Sequence, residues 1–131
     1  MRVMIVDDQK SIRDLLCSIV EELGAEVISE AGDGIEAVAL YKETSPDVIL
    51  MDINMPRMDG VEALRQIIAF NPNALVLMLT SQNSMAVVKN CLASGAKNFI
   101  LKDNPPNIMA EEIQATWSNY LGPGEVDSEQ M

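Results

Sequence analysis

The chain has 131 residues, 48% of them hydrophobic and 22% charged, which are the proportions of one globular domain long enough to bury a core. Its net charge is −11, and its nine basic residues are scattered from Arg2 to Lys102, which argues against direct binding of a nucleic-acid backbone. Histidine is absent, so no imidazole base, imidazole metal ligand or phosphohistidine carrier can come from this chain.

Arg2–Val6 (R-V-M-I-V) reads as a short buried strand, and acid follows at once in Asp7 and Asp8. So short an apolar start is no secretory signal, and no run of about 18 apolar residues offers a membrane span, so a cytoplasmic protein is expected. Lys10–Leu23 carries Ile12, Leu15, Leu16, Ile19, Val20 and Leu23 at helical spacing and stops at Gly24. Glu26–Glu30 is a second strand, Ile35–Thr44 a helix broken by Pro46, and Asp47–Met51 a third, apolar strand. Gly60–Phe70 is a helix closed by Asn-Pro-Asn at 71–73, followed by a strand over Ala74–Leu79. Ser84–Ala93 is helical up to Gly95, Lys97–Leu101 is the fifth strand, and Asn107–Leu121 is the last helix. Residues 1–121 are expected to form the domain, with 122–131 a flexible tail or linker. Cys17 and Cys91 lack metal-ligand spacing and read as reduced core thiols.

Five strands alternating with five helices predict an α/β fold: a doubly wound parallel sheet with right-handed crossovers and a working crevice at the carboxyl ends of its strands. Those ends carry Asp7 and Asp8, Asp52, Thr80 and Ser81, and Lys102. Taken singly, each has an ordinary reading as a loop acid, a solvated strand end, a helix cap or a surface lysine. On one rim they make a chemical set. Three carboxylates repel one another unless a cation joins them, and an oxygen-only set favours a hard ion such as Mg²⁺. Lys102 and the Thr80 hydroxyl would then complete an anion pocket for a phosphoryl group. Asp52 stands alone at the end of an apolar strand and is the candidate nucleophile, since carboxylates can form aspartyl-phosphates.

Four motifs in this order, V-D-D at 6–8, M-D-I-N-M-P-R-M-D-G at 51–60, L-T-S at 79–81 and F-I-L-K at 99–102, resemble the receiver domain of two-component response regulators, including its single-domain chemotaxis members. The resemblance runs from Met1 to about Leu121. It implies a flavodoxin-like sheet in the order 2-1-3-4-5, an order that periodicity alone does not supply. It implies phosphoryl transfer to Asp52 from a sensor histidine kinase or a histidine phosphotransfer protein, followed by autodephosphorylation. Mg²⁺ would be held by Asp7, Asp8, Asp52 and the backbone carbonyl of Asn54, while Lys102 and Thr80 bind the phosphoryl group. Thr80 and Phe99 would act as the switch, Asn54 and Gln82 would tune dephosphorylation, and the surface of the fourth helix, fifth strand and fifth helix would be read by a protein effector. Such a protein catalyses its own phosphorylation and dephosphorylation and is not a dedicated turnover enzyme.

One departure concerns the residue after Lys102, which is Asp103 where the family usually has a cis proline. A cis bond without proline costs about 2.5–4 kcal/mol, so a trans bond is expected here, with Asp103 free to compete for Lys102. A haloacid-dehalogenase-like aspartyl phosphatase is the enzymatic alternative, but Asn54 stands where its second aspartate belongs. A phosphate-independent pseudo-receiver is the other alternative, and retention of the site residues argues against it. Gly32-Asp33-Gly34-Ile35-Glu36-Ala37 fits a dinucleotide fingerprint literally, yet it follows the second strand and puts two acids where a pyrophosphate would sit. It reads as a turn and helix start. Asp59 is expected to cap the next helix, Arg57 and Met58 have no assigned role, and Met55, Met58 and Met85 are candidates for exposed contacts near the site.

Overall fold

In the computed structural model, residues 1–81 and 85–121 are described. They form β1 (Arg2–Val6), α1 (Lys10–Glu22), β2 (Glu26–Ala31), α2 (Gly34–Thr44) and β3 (Val48–Asp52), followed by α3 (Gly60–Phe70), β4 (Val76–Thr80), α4 (Met85–Ala93), β5 (Asn98–Leu101) and α5 (Pro106–Leu121). All pairings are parallel and the strand order is β2-β1-β3-β4-β5. The chain direction around the sheet therefore reverses between β1 and β3, and the crevice outside their carboxyl ends is the switch point.

Alternation along the strands sorts the core into two layers. Met4, Val6, Ile49, Met51, Val76 and Met78 face one side, where α2, α3 and α4 supply Val38, Leu64, Ile67 and Cys91. Val3, Ile5, Val48, Leu50, Leu77, Leu79 and Ile100 face the other, under Leu16, Ile19 and Val20 of α1 and Met109, Ile113 and Trp117 of α5. β3 and β4 are buried at every position, as central strands covered on both faces must be. Cys17 and Cys91 are both free thiols and lie with opposite layers.

The helix ends follow local chemistry. Asp33 and Asp59 cap α2 and α3, their side chains accepting from the N–H groups of Glu36 and Glu62. Gly24 and Gly95 end α1 and α4 with φ of +90° and +116°, the left-handed backbone that suits glycine. Several boundaries differ from the sequence expectation. β3 ends at Asp52 and β4 at Thr80, because their backbones stay in the ladder opposite Leu79 and Leu101. β2 likewise runs on to Ala31 opposite Val6. Asp47, Ala74, Leu75 and Lys97 drop out of their strands, and Leu23 is the C-cap of α1. α2 and α5 each begin one residue earlier, at Gly34 and Pro106. Pro106 suits a first helical turn, where its missing N–H costs nothing. The expected start of α4 at Ser84 lies outside the described residues.

Candidate functional site

The period of two sets the geometry of the rim. Ile5, Leu50 and Ile100 belong to the α1–α5 layer, so the residues two places on (Asp7, Asp52 and Lys102) emerge on that same side. Their backbones are still tied to the sheet. Asp7 N–H donates to Ala31 O (3.1 Å), Ile53 N–H to Leu79 O (3.2 Å) and Lys102 N–H to Thr80 O (2.8 Å). Above them opens a cleft of about 420 Å³ lined by Asp8, Gln9, Ile12, Asp52, Asn54, Ser81, Lys102 and Asp103.

Asp7 is fully buried, and its two oxygens have separate tasks. Oδ1 accepts from the Gln9 N–H at 2.9 Å, turning the chain into α1, while Oδ2 forms an ion pair with Lys102 Nζ at 2.7 Å. The same ammonium lies 3.3 Å from Asp52 Oδ2, and Asp52 is 5% exposed. Burial raises the Asp52 carboxyl above its ordinary range and the charge of Asp7 adds to this; Lys102 and the Asn54 N–H pull in the opposite direction. For Lys102, burial favours the neutral amine, but Asp7 and Asp52 together outweigh it and hold the ammonium above its usual range. Asp103 lines the cleft and is exposed, and among the described residues Lys102 pairs with Asp7 and Asp52, not with Asp103. No peptide bond among the described residues is cis, so Lys102–Asp103 is trans.

Carboxylate oxygens of Asp7, Asp8 and Asp52 lie within 4.8 Å of one another. Three carboxylates facing one ammonium leave an excess of negative charge, and the donors are all oxygen. That chemistry fits a small hard cation sharing the site with waters and phosphate oxygens. Asn54 is exposed on the cleft wall two residues past Asp52. Thr80 is buried at the end of β4. Phe99 is half-buried and packs against the α2–α4 layer, in register with Met78, while Leu101 pairs with Thr80. Gln82 lies outside the described residues.

The structure adds residues that the sequence left unassigned. Arg13 reaches from α1 to the Asp7 backbone carbonyl (2.7 Å) and to Glu30 Oε1 (3.1 Å), fixing the end of β1. Arg57 places Nε and Nη2 at 3.0 and 2.7 Å from Asp33 Oδ2. The Glu36 amide first, and then Arg57, lower the Asp33 carboxyl against a burial effect that raises it. Neither contact has a local signature, because each partner is distant in sequence. Met55 and Met58 are half-buried against the α2–α4 layer rather than exposed, and Met85 is exposed.

The profile of the response regulator receiver domain matches residues 3–114. The chain belongs to this family. The chemotaxis protein CheY of Thermotoga maritima is 40% identical over 112 residues, covering 86% of this chain and 93% of that protein. CheY of Listeria monocytogenes is 42% identical over 114 residues, covering 87% and 96%. Among solved structures, a chain of the CheX–CheY–BeF₃–Mg²⁺ complex of Borrelia burgdorferi superposes with a TM-score of 0.85 at 35% identity, covering 89% of each chain. The receiver fold and the strand order are those expected from the resemblance. Membership places the chain among phosphorylation-activated signalling domains of the CheY-like class. Among the described residues, no helix is long and apolar enough to cross a membrane.

Proposed function

We propose that this receiver takes a phosphoryl group onto Asp52 from the phosphohistidine of a sensor kinase or phosphotransfer protein. The observation that carries the proposal is the placing of Asp52 in the floor of an open cleft, 3.3 Å from Lys102 Nζ and clustered with Asp7 and Asp8. In the transfer, the donor P–N bond breaks as a P–O bond forms to an Asp52 oxygen. In the separate dephosphorylation step water attacks phosphorus and gives up a proton, the P–O bond to Asp52 breaks, the carboxylate is regenerated and inorganic phosphate is released.

Asp7, Asp8, Asp52 and the Asn54 carbonyl would hold Mg²⁺, which supplies charge neutralisation and orientation of the phosphoryl oxygens. Lys102 then moves its pairing from the Asp52 carboxylate to the new phosphoryl oxygens while still anchored by Asp7. Thr80, on the neighbouring strand end, would donate to the same group. A displacement of Thr80 would be felt two register steps back, where Met78 and Phe99 pair. Phe99 thereby links the site to the surface of α4, β5 and α5 for a protein effector. Residues 1–121 form the receiver unit in this reading, and the tail or linker expected at 122–131 lies outside the described residues. Asn54 and Gln82 are proposed to tune the lifetime of the phosphoryl group.

The test is incubation with Mg²⁺ and acetyl phosphate followed by intact-mass measurement. A gain of one phosphoryl group is expected, and Asp52→Asn is expected to abolish it. Failure of the wild-type protein to gain mass or to respond to beryllofluoride would remove the proposal.

A further inference from the structure

The loop that follows Asp52 is held in an uncommon conformation by a loop from another part of the sheet. Met58 N–H donates to Pro56 O at 2.7 Å, closing a tight turn over Arg57, whose φ is +66°. An i→i+2 bond over a residue of positive φ is the strained form of the γ-turn, and a non-glycine side chain there needs outside support. The support comes from the β2–α2 loop. Asp33 uses Oδ1 to cap α2 through the Glu36 N–H (2.8 Å) and Oδ2 to hold the Arg57 guanidinium at two points. The next residue, Gly34, donates its N–H to Met58 O at 2.9 Å. A Cβ on Gly34 would stand 2.3 Å from that oxygen, so the approach requires glycine. Residues 57 and 58 are thus gripped on adjacent sides, three and four residues beyond Asn54.

We propose that the Asp33–Arg57 pair, seated by the Gly34–Met58 hydrogen bond, is a positioning device that holds residues 54–58 in the conformation aiming the Asn54 carbonyl at a cation bound by Asp52. The inference rests on the function proposed above and extends it to two residues that touch neither the metal nor the phosphoryl group. Outer partners that orient a ligand alter affinity without supplying a donor. A strained turn is also the natural target for such control, since it relaxes when its support is withdrawn.

The test compares wild type with Asp33→Asn, Arg57→Gly and the double variant. Asn keeps the helix cap and loses the ion pair. Gly loses the pair, adds no clash and, being free at φ, lets the turn leave this conformation. Mg²⁺ binding is measured by calorimetry, and urea unfolding is measured without Mg²⁺. The expected result is a Kd for Mg²⁺ weakened about tenfold in each single variant, the lower end of what loss of an outer partner costs. The double variant should be no weaker than either single, as one shared interaction requires. Metal-free urea midpoints should stay close to wild type. Unchanged Kd values in the single variants overturn the inference. So does weakening that adds up in the double variant, or that tracks a fall in the metal-free midpoint. If wild type itself binds no Mg²⁺ and gains no phosphoryl mass, the underlying functional reading fails instead.

Discussion

The two flanks of the cleft are built differently. On the β3–α3 flank, backbone packs on backbone: Gly60 N–H donates to Ile53 O at 2.7 Å, and a Cβ on Gly60 would lie 2.1 Å from Asp52 O. Gly34 approaches Met58 just as closely, and Arg57 is fastened to Asp33. On the β5–α5 flank, the turn after Lys102 is held by the Asn104 N–H to Leu101 O at 3.2 Å and by the Asn104 side chain to Glu112 Oε1, also at 3.2 Å. Asp103 stands between them, exposed at the mouth. A carbonyl that must meet a cation at a fixed distance needs the first kind of wall. A lysine that must exchange one anionic partner for another is better served by the second.

The strongest way to break this contrast is to remove Lys102 itself. Lys102→Ala leaves buried Asp7 and Asp52 facing each other without a counter-charge, and a loss of about 3 kcal/mol in urea unfolding at pH 7 is expected. Millimolar Mg²⁺ should recover much of it, because a cation can take the place of the ammonium. Next in size is Gly60→Ala. Its methyl group meets the backbone of Asp52 and not a flexible side chain, so about 2 kcal/mol should be lost and phosphorylation slowed. Asn104→Ala, on the looser flank, removes one long side-chain hydrogen bond and should cost about 1 kcal/mol or less.

A smaller effect separates Asp52 from its surroundings by pH. Its carboxyl is raised, first by burial and then by Asp7, so the folded protein holds this proton to higher pH than the unfolded chain does. Metal-free stability should therefore fall as pH rises from the ordinary aspartate value through the raised one. Asp52→Asn should lack that component and match or exceed wild type in metal-free urea melts at pH 7. The smallest expected effect is at the mouth. Asp103→Asn removes an exposed negative charge from the path of an anionic donor, and its rate with acetyl phosphate should rise roughly twofold at low salt and converge on wild type at high salt.

Ten elements were legible in order and type, because apolar runs, helical spacing and Gly or Pro punctuation agree along this chain. Strand ends were less legible. Asp52 and Thr80 look like loop residues by polarity, yet the parallel ladder carries their backbones one residue past the apolar run. Asp7, Asp8, Asp52 and Lys102 could be grouped in advance because strand ends in such sheets converge on one rim, and the structure brings them into one cluster at the cleft floor. The tie between Asp33 and Arg57 could not be foreseen, since it depends on two loops that meet only when β2 and β3 flank β1. The fingerprint-like glycines were deceptive for a related reason. Gly34 does serve a close backbone approach, as in a dinucleotide loop, but the group approaching is the Met58 carbonyl and not a pyrophosphate.

The single tryptophan of the chain, Trp117, is 5% exposed beneath α5 in the layer that contains Ile100, and the residue following Asp52 is Ile53. The indole therefore sits with the helix proposed to carry the signal outward, while an aliphatic side chain flanks the proposed phosphoacceptor. Its emission is an optical reporter of how α5 rests on the sheet, available without a label and separate from the chemistry at the cleft.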